Sequence, residues 1–370
     1  MTDEVYTENG DGAKPKKVGT EIIKCDGCGA NMIFDPDAQK LYCPHCGSVK
    51  ELKDGGTAKE ISLLHGLDAD NYDSSDEAVV FRCSNCGASV VINDGKSATV
   101  CPFCGTAHVQ KTDDLPGLKP NGLIPFAFGA KKALELSKAW AKKRLFAPRK
   151  FKKKLGAENV NGVYTPCFTF DSYTTSLYNG KIGITHTRTV GSGKNRRTET
   201  WTEWKYISGT YYDNFDDILV TAGSKFDQKK LDKIAPYDTN DSKSYEKKYM
   251  LGFMAYKYDN DLEGCWDFAK SRIDARIRKG ILSRYVYDKV AYLNVSTSHD
   301  RVTYKYVMLP VYVGNYNFNK KLYNFYVNGD TGKVWGKTPK SPLKIAIAVL
   351  LGIALVAGIV ALYYFYNGGW

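Results

Sequence analysis

The chain has 370 residues, which is enough for two or three folded units and a tail. Hydrophobic residues make up 43% and aromatic residues 13%, so the composition excludes a wholly disordered protein and favours a β-rich core. The formal net charge is +12, but it is unevenly placed. Residues 1–115 hold 11 Lys and Arg against 19 Asp and Glu, a net −8, and the rest of the chain carries +20.

The N-terminal region contains a duplicated cysteine motif. Residues 1–20 are polar and without periodicity, and we expect them to be disordered. Residues 21–50 and 78–112 each contain C-x2-C-x14-C-x2-C, and the two copies align at a constant offset of 58 residues. The cysteines of the two motifs are Cys25, Cys28, Cys43, Cys46, Cys83, Cys86, Cys101 and Cys104.

These spacings predict two small zinc ribbons of the rubredoxin-knuckle type, each with one structural Zn²⁺. Two intervening residues let a tight turn direct both sulfurs at one metal, and the Gly after each pair supplies a positive φ. Four cysteines leave no open position for water, so such a site stabilises the fold and does no Lewis-acid chemistry. His45 and His108 are alternative ligands, and redox cysteines are the alternative function.

The segment between the ribbons is acidic. Residues 51–77 are predicted to be a linker, with a short helix around Ala58–Leu67 and then the run DADNYDSSDE. A calcium loop would need a central Gly and a final Glu at fixed spacing, and both are missing. With eight thiolates and two zinc ions the ribbon region reaches a net charge of −12, which favours a protein partner over a phosphate-bearing one.

Residues 120–338 are predicted to form one α+β domain with an antiparallel sheet. The Pro- and Gly-rich stretch at 115–125 marks its boundary. Periodic apolar residues predict helices at Ala130–Phe146, Ser242–Tyr256 and Leu262–Ser283. Between them lie short β-branched and aromatic runs. Two of these runs combine Tyr, Pro and a second aromatic, around Pro166 and Pro310, which is compatible with a domain of two halves.

A basic stretch follows the start of this domain. Lys131–Lys154 contains 11 Lys and Arg and one acid, so it is a candidate site for the phosphates of anionic lipid or of nucleic acid. The alternative is a solvated helix face followed by a basic loop. The candidate residues are Lys142, Lys143, Arg144, Arg149, Lys150, Lys152, Lys153 and Lys154.

Residues 344–366 are predicted to be a transmembrane helix. Ile345–Phe365 is 21 residues without a charge, long enough to cross a hydrocarbon layer of about 30 Å. A buried core helix is the alternative, but no polar face is present. Lys337, Lys340 and Lys344 precede the helix and no Lys or Arg follows it. The positive-inside rule therefore predicts a single-pass, tail-anchored protein of the cell membrane with its N-terminal body in the cytoplasm. Cysteines stay reduced in that compartment, so we expect metal ligands and not disulfides.

The sequence shows no motif for catalysis. The nearest approach to a P-loop, Gly332 to Thr338, is one residue short and lies in a predicted strand. Cys167 and Cys265 lie in apolar segments without a predicted His partner. We therefore expect a protein that is not an enzyme.

The order of these features resembles a bacterial family of TFIIB-type zinc-ribbon membrane proteins, frequent in Firmicutes and often labelled primosomal or helicase-like. The resemblance rests on the two CxxCG pairs, LKPNGLIPFAF, GVYTPCFTFD, YNFYVNGDTGKVWG and the terminal apolar helix. One branch of the family is similar to a Bacillus membrane protein that works with a phage-shock-type PspA protein and an SPFH-domain partner in envelope stress. The resemblance implies zinc ligation by the eight cysteines and suggests PspA-like and SPFH-like partners.

The sequence thus favours a membrane adaptor that uses two structural zinc ribbons to recruit proteins. The alternative is a zinc-ribbon protein that binds nucleic acid in replication or transcription. Such a ribbon would present basic and aromatic residues, whereas these present Asp26, Asp35, Asp37 and Asp94.

Overall fold

The computed structural model describes residues 23–53, 55–67, 79–86, 88–92, 101–104, 106, 109–112, 120–153, 160–319 and 321–366. The predicted disorder of residues 1–20, the acidic run of the linker, Asp94, His108 and Lys154 lie outside this range.

Runs of strands are separated by helices along the described chain. The strands are β1 (Ile33–Asp35), β2 (Lys40–Tyr42), β3 (Val49–Lys50), β4 (Ile61–Ser62), β5 (Val79–Cys83), β6 (Ser89–Ile92), β7 (Val109–Thr112), β8 (Gly122–Leu123), β9 (Val160–Val190), β10 (Arg197–Phe215), β11 (Val220–Thr221), β12 (Lys243–Ser244), β13 (Met254–Tyr256), β14 (Lys289–Phe318), β15 (Lys321–Asn328) and β16 (Val334–Gly336). The helices are α1 (Leu63–Leu67), α2 (Ala130–Lys142), α3 (Arg149–Lys153), α4 (Gln228–Ile234), α5 (Leu262–Leu282) and α6 (Pro342–Tyr366).

These strands form two sheets. The first ribbon has its own antiparallel sheet, β1-β2-β3, and the other described strands join one large sheet with the central order β12-β8-β14-β9-β13-β6-β5-β7. The expectation of an antiparallel sheet is wrong in one respect, because β13 runs parallel to β9 and β8 runs parallel to β14. Both pairs join strands that are far apart in the chain and are connected through helices. No hairpin turn therefore forces antiparallel order on them.

Two long strands form the middle of the large sheet. β9 has 31 residues and β14 has 30, and they pair antiparallel so that Pro310 lies opposite Tyr164 and Tyr306 opposite Phe168. The two Tyr- and Pro-containing runs of the sequence are therefore direct neighbours. A short strand and a helix precede each long strand, and each short strand pairs with the long strand of the other half. The two halves thus interlock.

Helix α5 covers one face of the sheet. It has 21 residues, begins after Asp261, whose carboxylate accepts a hydrogen bond from Gly264 N at 2.9 Å, and buries Ile273, Ile277 and Ile281. This confirms the helix predicted at Leu262–Ser283. Of the helix predicted at Ala130–Phe146, only Ala130–Lys142 is helical.

The helix predicted at Ser242–Tyr256 is wrong. The segment instead contains β12, a 3-10 turn at Lys247–Met250, and β13. Gly252, with φ +88°, interrupts a helical path, and β13 gains hydrogen-bonding partners in both β9 and β6. Those partners are distant in sequence, so local periodicity gave no sign of them.

The opposite face of the sheet is open to solvent along β9 and β10. Leu177, Trp204, Tyr206 and Tyr212 lie on this face and are 43–71% exposed. The ammonium of Lys181 lies 5.1 Å from the Tyr206 ring centroid and 5.7 Å from that of Trp204. We call this surface the open face.

Helix α6 differs from every other described helix. Its 25 residues carry one charge, on Lys344, and the helix is otherwise apolar enough and long enough to cross a membrane; none of its residues is buried against the body. A core helix would be covered by the body, so this exposure agrees with the predicted membrane span.

Candidate metal centres

The first ribbon brings its four sulfurs together. Cys25 Sγ lies 3.4 Å from Cys46 Sγ, Cys28 Sγ lies 3.6 Å from Cys43 Sγ, and all four atoms are within 4.8 Å of one another. A disulfide would need about 2.05 Å. Four sulfurs placed tetrahedrally about 2.3 Å from a zinc ion are about 3.8 Å apart. The separations therefore fit a shared metal and exclude disulfides.

The second ribbon has the same arrangement. Cys83 Sγ lies 3.6 Å from Cys104 Sγ and Cys86 Sγ lies 3.7 Å from Cys101 Sγ, again within one cluster. Each of the two groups could hold one Zn²⁺, as the spacing predicts. The donors are all sulfur, which suits zinc and leaves no position for a substrate.

The backbone of each knuckle explains why the cysteine spacing works. In all four knuckles the amide of the first cysteine donates to the carbonyl five residues later: Cys25 to Ala30, Cys43 to Ser48, Cys83 to Ala88 and Cys101 to Thr106, at 2.8–2.9 Å. Gly29 and Gly47 have φ +71° and +79°, a region that residues with a Cβ rarely adopt. The prediction that these glycines supply positive φ is confirmed for the first ribbon.

The sulfurs of these centres have different surroundings, so individual thiols differ in pKa. The Ser48 hydroxyl lies 3.1 Å from Cys46 Sγ and lowers the pKa of that thiol to about 6. In the second centre, burial raises the pKa of Cys86 to about 11. A bound Zn²⁺ would supply the positive charge that keeps such thiols ionised, so metal binding there is coupled to release of protons.

The first ribbon is packed into the body. Cys25, Cys43 and Phe34 are buried in the main hydrophobic core. Phe34 N donates to Leu251 O at 3.0 Å, and its ring meets Tyr249 edge-on at 5.5 Å. The first ribbon therefore shares its hydrophobic core with the body and stabilises it.

The second ribbon is joined to the body through strand pairing. β6 pairs with β13, and the Phe103 ring lies 5.1 Å from Tyr256. Asn315 of β14 donates to Pro102 O at 2.8 Å, inside the cysteine knuckle. A metal ion bound in the second ribbon would therefore be coupled to β14, a central strand of the sheet.

Three of the four aspartates expected to face a partner make contacts within the protein. Asp26 pairs with Lys50 at 3.1 Å, Asp35 accepts from the amide of Asp37 at 2.9 Å, and Asp37 accepts from Gly129 N at 3.1 Å. Asp26 and Asp35 make contacts within the ribbon, and Asp37 joins the ribbon to the body. His45, the alternative ligand, is exposed between two ligand cysteines.

The described basic candidates lie at the end of α2, in the turn after it and in α3, and that turn contacts the start of α6. Lys142 ends α2, Lys143 and Arg144 lie in the turn after it, and Arg149 and Lys150 begin α3. Lys152 and Lys153 complete α3.

One further cluster has no signal in the sequence. Carboxylates of Glu60, Asp171 and Asp216 lie within 4.8 Å of one another, although the residues are far apart in the chain. Lys305, whose side chain is 4% exposed, lies 2.9 Å from Asp217 Oδ1 and 3.8 Å from Glu60 Oε1. The ammonium of Lys305 offsets part of this negative charge through Asp217 and Glu60, so we interpret the group as a structural ion-pair network.

A cleft beside α5 contains a second network. The Asp259 carboxylate accepts hydrogen bonds from the Tyr256 hydroxyl and from Ser224 N, the latter at 2.8 Å. These bonds tie the loop after β11 to the loop after β13, which explains their position without a ligand.

Comparison with known proteins shows a relative that is similar along most of its length. The chain is 31% identical over 335 residues to the uncharacterized protein YdjG of Bacillus subtilis (strain 168), covering 90% of this chain and 93% of that protein. No family model and no solved structure matches the chain.

Proposed function

We propose that this chain, which belongs to the family of Bacillus subtilis YdjG, is a non-enzymatic, tail-anchored adaptor of the cell membrane. Its body, braced by two structural zinc ions, stands on the cytoplasmic side and recruits proteins to the bilayer. The observation that carries the proposal is α6, an apolar helix with none of its residues buried, attached to a body with two four-cysteine centres.

Two features of the body support protein partners. The first ribbon holds three Lys against four acids, and a zinc ion held by four thiolates would add a net −2, which suits the ribbon poorly to phosphate-bearing ligands. The open face exposes several large aromatic side chains side by side, and such clusters on soluble surfaces mark interaction sites. The proposed partners are PspA-like and SPFH-like proteins, and the proposed setting is the envelope-stress response.

Recruitment can be measured with purified components. The full chain in proteoliposomes is mixed with the PspA-like or SPFH-like protein of the same genome and floated on a density gradient. We expect the partner to float with vesicles that carry the chain and to stay below with empty vesicles. Trp204→Ala with Tyr206→Ala should reduce the floated partner, whereas Val49→Ala, an exposed change on the first ribbon, should not.

Nucleic-acid binding is the second candidate function. The observation that favours it is the stretch from Leu136 to Ala157, which holds nine Lys and Arg and no acid. If flotation recovers neither partner while the proteoliposomes retain a labelled oligonucleotide, this second function replaces the first.

The orientation is tested separately. Tags at the two ends of the chain are digested by a protease added outside intact cells. The three lysines before α6 predict loss of the C-terminal tag and protection of the N-terminal tag. The reverse pattern would contradict a cytoplasmic body.

A further inference from the structure

The turn between α2 and α3 lies against the first turn of the membrane helix. Ser341 N donates to Phe146 O at 2.8 Å. Lys344 Nζ donates to Leu145 O at 3.1 Å and to Ala147 O at 2.8 Å. Residues 145–147 therefore lie where the chain enters the bilayer, if α6 spans it.

This turn presents an apolar tip with basic flanks. The side chains of Leu145 and Phe146 are 77% and 42% exposed. Lys143 and Arg144 precede the tip, and Arg149 and Lys150 follow it; all four are exposed. Exposed apolar residues between cations are what a segment at the membrane interface presents, because the tip enters the acyl boundary while the cations meet lipid phosphates.

The turn is held firmly by the body. Ala147 and Phe151 are each 1% exposed, and the Phe151 ring meets Tyr316 edge-on at 5.0 Å. The guanidinium of Arg144 lies 4.9 Å from the centroid of the Trp140 ring, which is itself buried. A backbone fixed in this way keeps the tip beside α6 without a large ordering cost on binding.

We propose that Lys143–Lys150 forms a second bilayer contact beside α6, which we call the membrane seat. Leu145 and Phe146 enter the interface, and the four flanking cations bind the phosphates of anionic phospholipids in the leaflet that α6 enters. A single membrane helix leaves the body free to tilt, whereas two contacts set its angle over the bilayer. The inference rests on the membrane span in the proposed function but not on recruitment.

Photo-crosslinking of the full chain tests the seat. A benzophenone amino acid replaces Leu145, or Leu177 as the matched control. Leu177 is 63% exposed and lies opposite Ser296 of β14, roughly 65 Å along that strand from Tyr316. The chain is reconstituted in phosphatidylcholine vesicles with or without phosphatidylglycerol. We expect lipid adducts at position 145, more of them with phosphatidylglycerol, and hardly any at position 177.

Charge variants separate headgroup binding from mere proximity. Lys143→Gln, Arg144→Gln and Arg149→Gln together should lower the adduct yield at position 145 about tenfold in phosphatidylglycerol vesicles. The matched control, Arg196→Gln, Arg197→Gln and Lys205→Gln, removes the same charge from the β9–β10 hairpin and should leave the yield unchanged.

Three outcomes would overturn the seat. The first is an equal yield of lipid adducts at positions 145 and 177. The second is an adduct yield at position 145 that does not change when phosphatidylglycerol is added. The third is crosslinking of position 145 to an added oligonucleotide in place of lipid. Flotation of the same preparations shows whether α6 is inserted and partner protein is bound. Failure of the seat is thereby distinguished from failure of the adaptor function. If the triple variant misfolds, the Leu145 probe alone still tests the proposal, through its adduct yield in the two lipid mixtures.

Discussion

At the scale of single residues, the partly buried ion-pair network around Lys305 makes the body sensitive to pH. Burial, together with the neighbouring carboxylates of Glu60 and Asp217, raises the pKa of Asp171 to about 6. An aspartate in an unfolded chain titrates near about 3.9. Because the folded state binds this proton more tightly, the free energy of unfolding contributed by Asp171 falls as the pH rises from about 4 to about 6.

The variant Asp171→Asn should therefore be more stable than the native chain at neutral pH. The amide oxygen can still accept the hydrogen bond from Asp217 N, which is 2.6 Å long in the native chain. We expect the free energy of unfolding to rise by about 1 kcal/mol above about pH 7, a figure that already allows for solvent screening of this half-buried group. Below about pH 4 we expect almost no difference. Thermal melts at both pH values measure this, and Asp241→Asn on an exposed turn should show no such difference.

The metal ligands allow a second residue-scale prediction. The purified chain should contain two zinc ions, one for each cysteine group. Cys28→Ser should reduce the content to one and lower the melting temperature, because the first ribbon packs into the main core. Cys265→Ala, which changes a buried cysteine outside both groups, should keep both ions. Elemental analysis measures the ratio, and an unchanged content in Cys28→Ser would contradict the assignment.

At the scale of elements, α5 stabilises the large sheet through one apolar stripe. Ile277 is fully buried in it. Ile277→Ala should cost about 2–5 kcal/mol, since it removes apolar contacts and leaves a cavity. The adjacent exposed change, Arg276→Ala, should cost less than about 0.5 kcal/mol. Chemical denaturation of the detergent-solubilised chain measures the free energy of unfolding of both variants. Equal losses would contradict a stabilising role for the apolar stripe of α5.

Elements defined by local patterns were predictable from the sequence, and those defined by distant partners were not. The cysteine spacing predicts both four-cysteine groups because each knuckle closes within six residues. The periodicity of α5 was visible for the same reason. The segment at β13 was misread as a helix, since its strand character depends on β6 and β9. Likewise, no local signal showed that Asn315 would reach into the second ribbon.

At the scale of the whole molecule, α6 contributes nothing to the buried core of the body. A chain that ends at Lys340 should therefore leave the membrane fraction after a high-salt wash and keep the melting temperature of the full chain to within a few degrees. Fractionation and thermal melts check both points. If the shortened chain aggregates, α6 stabilises the body in a way that its exposure does not suggest.

The position of β14 has a consequence for how the protein is made. This strand pairs with β4, β8, β9 and β15, so the large sheet cannot be completed before β14 has been synthesised. It ends at Phe318, and α6 begins at Pro342. Folding of strands with such distant partners is slow compared with folding of local hairpins. The last central strand of the large sheet and α6 therefore become available at nearly the same point of the chain's synthesis.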